Sequence, residues 1–245
     1  MMRGLFGLLS IALLVVACNS TTTRLNEFEV HGIDVSHYQS AVDWQLIANQ
    51  NIHFAYVKAT EGETYTDSLF CANWASIKQT GMKRGAYHFF RPSLSIELQA
   101  SNYLRNVHLE PGDLPPVLDA EVVDGVSPKE LVDRLTKLAA LFEAAYNVKP
   151  IIYTYQKFYN KYLAGHFDDY PVWIARYSSR KPVLANNAAW HFWQYGSKGK
   201  LHGIRGDVDF NVFHGSLDAL NQFCIKETTP LTILAAPLPH QSISK

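Results

Sequence analysis

Short apolar runs alternate with amphipathic stretches along most of this chain. Eight segments rich in β-branched and aromatic residues, 31–38, 53–60, 84–90, 116–122, 150–155, 171–177, 189–195 and 207–213, have the length and composition of strands. Stretches with helical spacing lie between the first five, at 44–50, 69–82, 96–107 and 129–146, and a shorter one follows at 157–163. In the longest, Leu131, Leu135, Leu138, Phe142 and Ala145 recur at steps of three and four, which puts them on one helix face. Ser127-Pro128 ahead of it supplies an N-cap and a proline at the first helical position.

Strand and helix in alternation predict parallel βαβ units, and at 245 residues a closed barrel is the natural arrangement. The last third departs from the pattern. The gaps before the seventh and eighth strands hold Pro182 and Asn186-Asn187, then Gly196, Gly199, Gly203 and Gly206. A crossover with its helix needs at least ~10–12 residues, and loops so interrupted will not supply one. The expected fold is therefore α/β, a modified TIM-like barrel of five βα units followed by three strands lacking intervening helices, some of them antiparallel.

The ends of the chain differ from the middle. Residues 1–17 carry Arg3 and then an apolar run too short to span a bilayer, the pattern of a secretory signal. Val15-Val16-Ala17-Cys18 resembles the lipobox of bacterial lipoproteins, in which the cysteine becomes lipid-modified; an ordinary signal cut near Ala17 is the alternative. The expected organisation is a signal peptide over 1–17, a polar tether over 18–29, a barrel over 30–224 and an extension over 225–245. That makes the protein exported and held in the cell envelope by lipid on Cys18. Lys plus Arg equal Asp plus Glu at 22 each, so no basic surface for nucleic acid is expected. Aromatic residues form 13% of the chain, either as a tyrosine-rich core or as faces for sugars. Cys71 and Cys224 could pair in an exported protein, and the sequence leaves this open. No His-x-x-x-His, His-Glu-x-x-His or paired-cysteine spacing announces a metal, and no cofactor is expected.

The sharpest chemical feature is Asp119-Ala120-Glu121 at the end of the fourth apolar strand. Residues two apart in a strand point the same way, with Cα atoms roughly 6.6–6.8 Å apart. At the C-terminal end of a barrel strand that direction is the mouth, where such barrels place catalytic groups. Two carboxyls so close cannot both ionise freely, so one is held as a proton donor beside an anion, the pairing that glycoside hydrolysis needs. Asp34 ends the first strand and Asp209 lies in the eighth, its neighbour in a closed barrel, so all four acids can converge. Taken singly, each acid could equally be a loop cap or an ion-pair partner. Ser36 beside His37 does not make a nucleophile and base, because adjacent strand residues face opposite ways.

Gly32-Ile33-Asp34-Val35-Ser36-His37-Tyr38-Gln39, with Val42-Asp43-Trp44, resembles the opening of glycoside hydrolase family 25, the lysozymes of Chalaropsis, Streptomyces and phage endolysins. The likeness continues in order through Tyr56–Gly62, Gly85–Phe89, Leu118–Glu121, Ile152–Thr154, Trp173–Tyr177, Trp193–Tyr195 and Val208–Asn211. The resemblance implies a barrel of five βα units and three further strands. It also implies hydrolysis of the β-1,4 bond between N-acetylmuramic acid and N-acetylglucosamine in peptidoglycan, with no cofactor. Glu121 matches the proton donor, Asp119 the acid beside it, and Asp34 and Asp209 the remaining acids. The family's mechanism is drawn with the sugar's own acetamido oxygen as nucleophile, although Asp34 or Asp209 could attack directly or activate water. Lys58, Tyr87, Tyr153, Trp173, Tyr177, Trp193, Gln194 and Tyr195 are then expected along the glycan groove. A monomer is expected, with a glycan strand as substrate. A non-catalytic peptidoglycan-binding lipoprotein and a chitinase-like glycosidase are the rival readings.

Overall fold

The computed structural model describes residues 21–226. The expected signal peptide, Cys18 and most of the expected C-terminal extension lie outside the described residues.

Eight strands close into a barrel. They are β1 (Val30–Val35), β2 (Phe54–Glu61), β4 (Lys83–Phe89), β5 (Val117–Asp119), β6 (Ile151–Tyr155), β7 (Val172–Ala175), β8 (Phe192–Gly199) and β9 (Val208–Phe213). A two-residue strand, β3 (Tyr65–Thr66), adds a hairpin to the end of β2. Parallel pairing runs from β1 through β8, and the β1–β2 pairing together with β9 closes the circle. β9 is antiparallel to both of its neighbours, β1 and β8. The expected architecture is therefore present, with the antiparallel element confined to the last strand. Helices α1 (Trp44–Ala48), α2 (Phe70–Lys78), α3 (Ile96–Asn106) and α4 (Pro128–Tyr146) link the first five barrel strands. The short α5 (Gln156–Phe158) runs into a π turn over Tyr159–Leu163 before β7. A last helix, α6 (Leu217–Phe223), which strand and helix patterning had not marked, follows β9 and caps the lower end.

Alternation divides the core in two. Outward-facing strand residues such as Ile33, Val57, Leu118, Ile152 and Ile174 pack with the helices, among them Leu131, Leu135, Leu138 and Phe142 of α4. Inward-facing residues Val30, Phe54, Tyr56, Val117, Ile151, Trp173, Phe192 and Phe213 fill the barrel. The aromatic rings interlock: Tyr56 lies 4.9 Å from Trp173, and Phe192 lies 4.9 Å from Phe213, between ring centroids. Room for them comes from Gly32 and Gly85, where an added Cβ would fall 2.3 Å from the Phe54 ring and 2.1 Å from the Tyr56 ring. At the lower end Arg84 makes a two-pronged pair with Asp113, Nε to Oδ1 at 2.7 Å and Nη2 to Oδ2 at 3.1 Å, and lies over the Trp74 ring.

No α-helix follows β7 or β8, only a short 3-10 turn over Ala185–Asn187 after β7, so their outer faces need another cover, and the segment before β1 provides part of it. Thr22 N–H donates to the Lys198 carbonyl at 3.0 Å and its hydroxyl accepts from Lys198 N–H at 3.1 Å. Arg24 lies over the Phe210 ring, Leu25 packs on the outer core, and Phe28 is buried against Trp193 and Trp190. Lys198 belongs to the part of β8 beyond Gln194, at the mouth, so this arm runs down the barrel wall from mouth to floor. From Thr22 onward the segment read from the sequence as a polar tether lies against the barrel wall. Cys71 is exposed, Cys224 is buried, and both are free thiols.

Candidate active site

The strand ends place four acids around one cavity of ≈ 280 Å³ at the mouth, lined by Asp34, Asp119, Glu121 and Asp209 together with Lys58, Tyr87, Tyr153, Trp173, Tyr177 and Gln194. Asp34 and Asp209 stand directly opposite each other across the β1–β9 pairing. Asp119 ends β5, next to Tyr153 of β6 and Phe89 of β4. Glu121 lies just past the strand. The Ala120 N–H still donates to the Tyr153 carbonyl at 2.8 Å, which holds the chain in register far enough to fix where Glu121 begins.

A polar scaffold orients Asp34. Its Oδ2 accepts from Gln194 Nε2 at 2.8 Å and from Asn211 Nδ2 at 2.7 Å. Both amides are themselves oriented: Gln194 Oε1 accepts from the hydroxyls of Tyr153 at 2.9 Å and Tyr177 at 3.1 Å, and Asn211 Oδ1 accepts from Trp173 Nε1 at 3.0 Å. Asp119 is buried without such support, and its Oδ1 has no hydrogen-bond partner. A buried carboxylate oxygen with no donor is an acceptor ready for one brought by a ligand.

Charge repulsion and burial together make this a proton-holding cluster. Burial pushes the Asp34 carboxyl up to about 6, against the two amide donors. Asp209 is pushed up to about 8, by burial first and then by the charges of Asp34 and Glu121. Burial, with the Glu121 charge behind it, drives Asp119 well above the carboxylate range, while Lys58 opposes the shift. Glu121 is raised by burial and by Asp34, with the nearby Tyr153 hydroxyl acting the other way. Lys58, the one cationic side chain lining the cavity, is shared with Glu61 at 2.7 Å and cannot neutralise four acids. At neutral pH the cluster therefore keeps protons that isolated carboxyls would lose. No group of three or more His, Cys, Asp or Glu among the described residues is arranged to hold a metal ion.

The sequence pattern of the family described as Glycosyl hydrolases family 25 matches residues 33–204, a span that includes Asp34, Asp119 and Glu121. The chain belongs to this family. Among its family 25 relatives, lysozyme M1 of Streptomyces globisporus is 33% identical over 201 residues, covering 76% of this chain and 68% of that protein. The YegX protein of Escherichia coli K12 is 43% identical over 208 residues, covering 82% and 76% respectively. The solved family 25 glycosyl hydrolase of Bacillus anthracis superposes with a TM-score of 0.78 at 31% identity, over 84% of this chain and 98% of that one.

Of the residues singled out from the sequence, two stand apart from the family 25 cavity. Trp193 is fully buried on the outer face, where its Nε1 donates to the Arg176 carbonyl at 2.9 Å, and Tyr195 packs beside it against Phe210. Gln194 faces inward, so its two neighbours in the strand must face outward. Trp173 does line the cavity, but as a buried floor rather than an open stacking surface. The sequence reading did not single out Asn211, although it sits two residues after Asp209 and so shares its face. Ser36, Tyr38, Gln39 and Phe89 also border the cavity.

Proposed function

We propose that this family 25 glycosyl hydrolase is a peptidoglycan muramidase, cleaving the β-1,4 bond between N-acetylmuramic acid and N-acetylglucosamine. The observation that carries the reading is the adjacent pair of raised acids, Glu121 beside the buried Asp119 with its unpartnered Oδ1. That oxygen suits the N–H of a sugar's 2-acetamido group. A donor there favours the Asp119 anion, and a negative Asp119 in turn keeps the proton on Glu121. Glu121 then gives its proton to the glycosidic oxygen as the bond to the anomeric carbon breaks and the electron pair leaves with oxygen. The acetamido oxygen forms the new bond to that carbon, and Asp119 steadies the positive charge on the resulting oxazolinium ring. Water next attacks the anomeric carbon and passes a proton to Glu121, while the bond from that carbon to the acetamido oxygen breaks and its electron pair returns to the acetamido group, restoring the site. Asp34, fixed by Gln194 and Asn211, and Asp209 opposite it set the charge that holds the proton in place.

The test is release of reducing ends from purified cell wall, with chitin as a parallel substrate. Glu121→Gln should abolish release while the circular dichroism spectrum stays that of the wild type. Retained activity in that variant would refute the assignment, and faster turnover of chitin would point to a chitinase instead. We also propose that the protein is exported and lipid-anchored through Cys18. Cys18→Ala should then release it from fractionated membranes, and absence of radiolabelled fatty acid on the wild type would overturn the anchor.

A further inference from the structure

A second hollow, of ≈ 540 Å³, opens beyond the first and is lined by Glu121, Tyr155, Gln156, Lys157, Ala175, Arg176 and Tyr177. Glu121 and Tyr177 border both, so the proton donor stands on the boundary between them. The two hollows differ in sign. The first gathers four acids around Lys58, whereas the second sets Lys157 and Arg176 against Glu121 alone. Lys157 is exposed on α5 and makes no hydrogen bond or ion pair among the described residues. Arg176 is steadied through Nη1, which donates to Gln156 Oε1 at 3.2 Å and to the Lys181 carbonyl at 2.9 Å. Its Nε and Nη2 have no protein partner among the described residues, so one edge of the guanidinium remains to be used. Tyr155 and Tyr177, 39% and 62% exposed, stand beside these cations. Among the described residues neither charge is half of an ion pair, so both are available to a ligand.

We propose that this hollow receives the leaving-group side of the glycan strand, and that Lys157 and Arg176 bind carboxylates carried by its muramic residues. The inference rests on the muramidase reading and extends it to the substrate's side chains. Cleavage at the anomeric carbon of N-acetylmuramic acid places that sugar among the acids, so the following sugars must lie past Glu121. N-Acetylglucosamine is neutral and suits the tyrosine rings. The anions of such a strand are the carboxylates of the peptide on muramic residues that carry one, and the lactyl carboxylate on those that do not. A guanidinium edge held in place matches a carboxylate in two-pronged geometry, and a mobile ammonium adds charge at the rim.

The experiment compares wild type, Lys157→Glu and Lys157→Arg on three substrates: peptide-bearing wall, strands stripped of peptide by an amidase, and wall whose carboxylates have been converted to amides. Lys157→Glu should raise KM by roughly five-fold on the carboxylate-bearing forms with kcat unchanged, as expected for one rim charge. Lys157→Arg should behave as wild type, and all three proteins should coincide on amidated wall. A defect on peptide-bearing wall alone assigns the peptide carboxylates, one on stripped strands alone assigns the lactyl carboxylate that the amidase frees, and one on both shows that the site takes either anion. Equal KM values for wild type and Lys157→Glu, or a defect that persists on amidated wall, would overturn the proposal. Wild-type activity is the separate control: if the wild type releases no reducing ends from any form, the muramidase reading fails, and this inference falls with it.

Discussion

Replacing Asp209 with asparagine should stabilise the protein at alkaline pH while harming catalysis. In the fold the Asp209 carboxyl titrates at about 8, and in the unfolded chain near the ordinary aspartate value of about 3.9. Between those values the folded state binds more protons than the unfolded state, so stability falls as pH rises and is fully present only at acid pH. Taken alone, the shift is worth about 5 kcal/mol between pH 4 and pH 8. Asp34 and Glu121 share the same protons, and ionisation spreads to them when one acid is removed, so about half of that should be recovered by Asp209→Asn. The expected gain is about 2–3 kcal/mol at pH 8, or some 5–10 °C in Tm for a domain of this size, and little at pH 4. Urea unfolding followed by tryptophan fluorescence at the two pH values measures it directly. A gap between wild type and variant that is the same at pH 4 and pH 8 would refute the reasoning, because the repulsion would then not be electrostatic.

Other consequences of the same geometry can be checked more briefly. The alkaline limb of the kcat/KM profile should lie above the ordinary carboxylate range, because burial and the Asp34 charge hold the proton on Glu121, and Asp34→Asn should shift it to lower pH; a limb that does not move contradicts this. Arg84→Met should cost about 3 kcal/mol in chemical denaturation, since it leaves Asp113 charged and buried at the barrel floor without its partner. Trp193→Phe should lower Tm with KM unchanged, whereas Tyr177→Ala should raise KM with Tm unchanged, because one ring faces the outer core and the other the groove.

Much of this arrangement was legible before any coordinates. The eight strands announced themselves by composition, and which of them are linked by a helix followed from gap lengths that could or could not hold a crossover, whereas α6 after the last strand went unmarked. Asp34, Asp119 and Asp209 were readable because each ends or lies in a strand whose inward face is fixed by alternation, and Glu121 because it follows Asp119 at the same two-residue step, just past the strand. The same rule, applied one residue at a time, would have placed Gln194 and Asn211 inside and Trp193 and Tyr195 outside; treating Trp193-Gln194-Tyr195 as a block concealed it. The hydrogen bonds from Gln194 and Asn211 to Asp34 join residues more than 150 positions apart and depend on side-chain reach across a closed barrel, which no local pattern records. The second hollow was equally hidden, since Tyr155, Lys157 and Arg176 come from two strand ends and a three-residue helix with no shared motif.

The arm that covers β8 and β9 would also set how the molecule hangs if the proposed lipid on Cys18 holds it. Among the described residues its first bonds to the barrel are the pair between Thr22 and Lys198 at the rim, so a pull on the chain ahead of Thr22 would be delivered there and not at the floor. The load would peel that clasp open before it reached β1. With Cys18 as the attachment point, four residues of chain reach at most about 14 Å. On that leash the open end of the barrel stays beside the surface that holds it and the floor is left free to swing outward. Only glycan passing within that narrow layer would then come under the acids.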